Sequence, residues 1–151
     1  MPHIHEKIDF TSEVFIVHKN KVLLRLHEKY KKWLGVGGHV ELDEDPVQAA
    51  VREAKEEVGL DITIYDNRPE ELVKVSGGEL IVPQFINRHH VHDTHEHIAF
   101  VYFGVSTNDD VIPEKPDDVW KWLTKEELDK MDGLERGIKF YAENALKILG
   151  E

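Results

Sequence analysis

Apolar and polar positions repeat with two periods along this chain, and each change of period marks an element. Phe10 to Val17 and Val22 to His27 are rich in β-branched and aromatic residues and flank Lys19-Asn20, which predicts a hairpin. After Asp45 the period lengthens. Val47, Ala50, Val51, Ala54 and Val58 recur at helical spacing and predict a helix with one apolar face. Asp45 suits its N-cap, Pro46 its first position and Gly59 a left-handed terminator. Beyond it, Asp61 to Tyr65 alternates as a strand, and residues 67–70 form a loop. Leu72 to Val75 and Glu79 to Ile86 read as a second hairpin about Gly77-Gly78, and Ile98 to Val105 is apolar enough for a buried strand. Asn108 to Asp118 reads as a surface loop and Val119 to Leu123 as a short strand. Thr124 opens a short helix with a capping-box pattern, and Leu134 to Leu149 predicts a helix ending at Gly150.

The helix after Asp45 carries chemistry away from its apolar face. At about 100° per residue, Glu53, Glu56 and Glu57 share a separate arc. Three carboxylates at that spacing repel by a few tenths of a kcal/mol per pair, so a compensating charge is expected. A hard divalent cation, Mg²⁺ or Mn²⁺, is the simplest one, because it takes oxygen ligands and is completed by substrate phosphates. Arg52 borders the arc and is placed to pair with Glu44 or to hold Glu53. Gly37 and Gly38 permit close backbone approach, and a carbonyl there is a further candidate ligand. A solvated acidic face is the alternative reading of the same charges.

Gly38, Glu44, Arg52, Glu53, Glu56, Glu57, Gly59 and Leu60 stand at the spacings G-x5-E-x7-R-E-U-x-E-E-x-G-U, where U is aliphatic. The stretch resembles the Nudix box, departing from it only by Ala54 at the first aliphatic position. The order of elements fits a mixed sheet between helices. The resemblance likewise implies an α/β fold of the α+β type, a Nudix-like α/β/α sandwich. It further implies hydrolysis of a diphosphate linkage in a nucleoside diphosphate derivative: a nucleotide sugar, ADP-ribose, a dinucleoside polyphosphate or an oxidised nucleoside triphosphate. Glu53, Glu56, Glu57 and Arg52 would be catalytic, and Glu53, Glu56, Glu57 and Gly38 would hold Mg²⁺ or Mn²⁺. A non-hydrolytic nucleotide-sensing or interaction domain on the same fold is the second reading, since a fold does not fix a function.

Selectivity has to come from outside the helix. Tyr30 and Trp33 lie in a basic stretch with Lys29, Lys31 and Lys32, and His39 and Glu44 flank the glycines. Residues 89–97 read as a histidine-rich loop in which His95 and His97 would share one strand face. A transition-metal site is one use of such histidines; polar contact with substrate is the preferred one, with Glu96 as an extra acid. Trp120 and Trp122 either stack on a base or cover the core edge, the commoner fate.

Length and charge narrow the classes. The 151 residues, 40% of them hydrophobic, are expected to form a single domain spanning 1–151. A net charge of −11 argues against binding a nucleic-acid polymer and leaves a small-molecule diphosphate, received through cations, as the expected partner. The absence of cysteine removes disulfides, thiolate zinc sites and a cysteine nucleophile, which weighs against similarity to isopentenyl-diphosphate isomerase. No apolar run approaches the roughly 20 residues of a membrane span, and the polar N-terminus is unlike a signal peptide, so the cytoplasm is the expected location. A homodimer is compatible with these features.

Overall fold

A computed structural model describes residues 7–151; residues 1–6, which belong to the polar stretch read against a signal peptide, lie outside the described residues. The chain runs β1 (Ile8–His18), β2 (Lys21–His27), β3 (Lys32–Leu34), β4 (Val36–His39), α1 (Pro46–Val58) and β5 (Ile62–Ile64). It continues with α2 (Glu70–Val75), β6 (Phe85–His92), β7 (His95–Ser106), β8 (Trp120–Leu123), α3 (Lys125–Lys130) and α4 (Arg136–Leu149).

The sheet is mixed and centres on β1. Residues Ile8 to Val17 run parallel to Glu96 to Val105 of β7. The opposite edge of β1 is divided, with β4 antiparallel to Thr11–Val14 and β2 antiparallel to Val17–His18. The outer edge of β7 is divided in the same way between β6 and β5.

Alternation along β1 assigns its two faces. Val14 and Ile16 pack with Ala50, Ala54 and Val58 of α1, while Phe15 and Val17 pack with Ile138, Ala142 and Ala145 of α4. The sheet therefore lies between helices, as an α/β/α sandwich requires. Full burial of a side chain such as Phe15 or Phe103 contributes about 1.5–3 kcal/mol to holding these layers together.

Both ends of α1 are fixed by local chemistry. Asp45 accepts from the Gln48 amide, and the Gln48 side chain accepts from the Asp45 amide, which closes a capping box. Gly59 terminates the helix at φ 69°, a conformation that strains any residue with a Cβ. Ser12 Oγ donates to the Pro46 carbonyl at 2.6 Å and ties the start of the helix to β1.

Several expectations are corrected. Leu72 to Val75 is not a strand but most of α2, which follows Pro69, carries Glu70 and Glu71 in its first turn and buries no side chain. Residues 79–84 form no strand, because Pro83 has no amide to donate and ladder pairing begins at Phe85. Residues 89–97 are not a loop: β6 and β7 pair through them and reverse at Asp93-Thr94. On α1, Val51 faces outward and Ala49 takes a buried position. Trp33 belongs to β3, and Trp120 and Trp122 cover the edge of the core on the α1 side.

Candidate functional site

A cleft of about 330 Å³ opens on the sheet face beyond the reach of α4. Thr11 and Glu13 of β1, Gly37 to His39 of β4, His97 and Ala99 of β7, His89 of β6 and Glu57 of α1 line it. Arg25, His27, Lys29 and Tyr30 close its other side. A larger groove of about 730 Å³ runs past Asn20, Thr124, Phe140 and Asn144, but it contains none of the residues singled out by the sequence.

The three glutamates of α1 occupy different environments. Glu56 is the exposed one, Glu53 is largely covered, and Glu57 is buried. Burial of Glu57 pushes its carboxyl up to about 8, against the pull of the Arg25 guanidinium 2.9 Å away, and Glu53 beside it adds to the rise. Arg25 also reaches Asp118 at 3.3 Å.

Arg52 acts as a fork over the outer part of the site. Its Nε and Nη2 donate to the two oxygens of Glu44 at 3.0 and 2.6 Å, and Nη1 donates to Glu53 at 3.1 Å and Glu56 at 3.0 Å. Nη2 also donates to the His39 carbonyl at 3.0 Å, so one side chain binds α1 to the end of β4. The guanidinium hydrogen bond holds Glu44 below the usual carboxylate range.

Gly38 faces this cluster directly. A Cβ built there would stand 2.5 Å from Glu53 Oε1, so the carboxylate occupies space that only glycine leaves free. The donors fit a hard divalent cation. Glu53 and Glu57 are neighbouring carboxyls, and the buried inner one is costly to ionise without added positive charge.

The other predicted contacts separate into two groups. His39 and His97 line the cleft, and Tyr30 reaches it stacked on His27 at 4.6 Å between ring centroids. His95 lies next to His97 on the same face of β7. Burial holds His97 below the ordinary imidazole range. Glu96 does not join them: it points to the other face of β7, where Arg88 binds it at 2.7 and 2.9 Å and holds it down to about 2. Trp33 packs on the α4-side core beneath Lys121.

The sequence reading missed Glu13, whose carboxyl burial pushes up to about 7, and Arg25 and Asp9. Each is a charged residue inside an otherwise β-rich run, FTSEVFIVH, VLLRLH or the start of β1, and that interruption was the available signal.

The model of the NUDIX domain matches residues 9–143. The chain belongs to the Nudix family. A NUDIX-family hydrolase from Clostridium perfringens is 42% identical, with 93% of this chain and 97% of that one covered and a TM-score of 0.86. MutT NUDIX hydrolase from Burkholderia pseudomallei shares the fold at 20% identity, covering 91% and 98% of the two chains, with a TM-score of 0.64. A C. elegans Ap4A hydrolase does so at 23% identity, covering 92% and 93%, with a TM-score of 0.61. The Nudix fold here includes, among the described residues, no helix long and apolar enough to cross a membrane.

Proposed function

We propose that this Nudix protein is a divalent-metal-dependent hydrolase of a diphosphate linkage in a nucleoside diphosphate derivative. Nucleotide sugars, ADP-ribose, dinucleoside polyphosphates and oxidised nucleoside triphosphates are the substrate classes. The observation that carries the reading is the graded set of Glu53, Glu56 and Glu57 beside Gly38, in which Arg52 joins Glu53 to Glu56 and Glu57, paired with Arg25, lines the cleft.

Glu53, Glu56, Glu57 and the Gly38 carbonyl would hold the metal. Mg²⁺ or Mn²⁺ bound there supplies positive charge for the diphosphate oxygens and acidifies a water. Arg52 keeps Glu53 and Glu56 in register with the end of β4, and Glu44 keeps Arg52 from turning into the cleft. One of the glutamates accepts the proton of the attacking water. Tyr30, with Lys29 above its ring at 5.5 Å, offers an aromatic surface at the cleft mouth for a base.

The test is a nucleotide panel in Mg²⁺ with product identification, run beside Glu56→Gln. Glu56 is exposed on a capped helix, so the variant should fold while losing at least about a hundredfold in turnover. Full activity of Glu56→Gln on a confirmed substrate would refute the assignment. Tight nucleotide binding without turnover in either metal would favour a sensing domain.

A further inference from the structure

At the rim of the cleft, register places four ligand side chains together. Asp9 of β1 pairs with His97 of β7, and His95 lies two residues earlier on the same face. His39 of β4 pairs with Thr11, so it is diagonal to Asp9 across the β1–β4 ladder. Three strands that are distant in sequence thus deliver three imidazoles and one carboxylate to one point.

The distances suit a shared ion. His39 Nε2 and His95 Nε2 are each 3.2 Å from Asp9 Oδ2, and His97 Nε2 is 3.1 Å from Asp9 Oδ1. One ligand atom from each of the four residues can be chosen so that all lie within 4.8 Å of one another. Ligands about 2.1 Å from a metal stand about 3.0 to 3.4 Å apart at right-angled to tetrahedral geometry, and the three Asp9–histidine distances fall in that range. The rings of His39 and His95 are each nearly perpendicular to that of His97, at 4.9 and 5.0 Å between centroids.

A hydrogen-bonded cluster does not account for every atom. Asp9 Oδ1 and His97 Nε2 are both buried, and although only 3.1 Å apart neither has a hydrogen-bond partner among the described residues. A buried acceptor and a buried ring nitrogen left in this way are destabilising until a partner is supplied. Both atoms gain a partner if a cation lies between the four residues.

We propose that Asp9, His39, His95 and His97 form a second metal site, separate from the glutamates of α1, for a borderline divalent transition ion of the Zn²⁺ type. Imidazole nitrogen selects such ions over Mg²⁺, which favours oxygen. The site fastens the ends of β4, β1 and β7 to one another. It also sets positive charge on the cleft wall that carries His39 and His97.

The experiment is titration of the untagged full chain with Co²⁺, followed by visible absorption, in Mg²⁺ sufficient to fill an oxygen-ligand site. One equivalent should bind with a tetrahedral Co²⁺ spectrum, and Zn²⁺ should displace it. Asp9→Asn and His95→Gln should each weaken binding by at least about a hundredfold, no less than the loss of an outer-shell partner. His39→Gln, at an exposed position, supplies the same test if the others fail to fold. Glu53→Gln combined with Glu56→Gln should leave the Co²⁺ spectrum unchanged, which separates this site from the proposed hydrolytic one. Absence of a tetrahedral spectrum, or a spectrum lost in the glutamate variant and kept in the Asp9 and histidine variants, would overturn the proposal.

Discussion

Gly38→Ala probes how closely the carboxylates proposed to hold the metal are positioned. The new Cβ would meet Glu53 Oε1 at 2.5 Å and Glu53 Cδ at 2.8 Å, against an ordinary contact of 3.4 Å or more. The carboxylate therefore has to retreat by about 0.9 Å, the difference between 3.4 and 2.5 Å. Misplacement on the order of 1 Å costs about a hundredfold in rate, so kcat/KM should fall by about that factor. Stability should hardly change. Gly38 does not have positive φ, the atom it meets ends a side chain, and Gly→Ala in a compatible conformation gains about 0.4–1 kcal/mol from the unfolded state. Thermal unfolding should thus shift by less than about 4 °C. Gly37→Ala is the control: its Cβ would overlap the Ser12 carbonyl oxygen, a backbone atom in the β1–β4 ladder, so it should lower Tm as well as activity. The assay compares kcat/KM, Mn²⁺ affinity by calorimetry and Tm for the two variants. Unchanged kcat/KM and Mn²⁺ affinity in Gly38→Ala would refute the reasoning, because the position of Glu53 would then not matter.

Two further outcomes follow from charges in the cleft. Arg25→Met leaves Glu57 and Asp118 without their shared partner; with these groups partly solvated, the loss should be about 2 kcal/mol, or about 4–8 °C in Tm, read by thermal unfolding. Glu13 holds its proton to about pH 7 in the folded chain against an ordinary 4.5, so folding takes up a proton in that window and stability falls as pH rises through it. Glu13→Gln should flatten this decline, measured by urea unfolding at several pH values, and an unchanged profile would remove Glu13 as its source.

What could be read in the sequence was chiefly what local chemistry decides. Asp45, Pro46 and Gly59 fix α1 within the chain itself, so its limits and the residues of the glutamate arc were legible. Helical periodicity did not tell Glu57 from Glu56, because the burial of Glu57 depends on Arg25 of β2 and on the segment bearing Glu114, both far away in sequence. Leu72 to Val75 misled for the opposite reason. Its apolar pattern suits a strand, but the paired Gly77-Gly78 connects to a Pro83 segment that cannot pair, and the acids after Pro69 favour a helical turn. The convergence of Asp9 with three histidines was illegible because it needs the parallel register of β1 and β7.

The one divided and one continuous edge of β1 bear on how the protein loses activity. Thr11 and Glu13 line the cleft, Asp9 meets three histidines at its rim, Ser12 anchors α1, and the next four residues are fully or almost fully buried. Fraying of one neighbouring strand cannot release this segment, since β7 grips it along ten consecutive positions. Amide hydrogens from Val14 to Val17 should therefore exchange only on global opening. Thermal inactivation would then coincide with complete unfolding, with no folded but inactive intermediate in between.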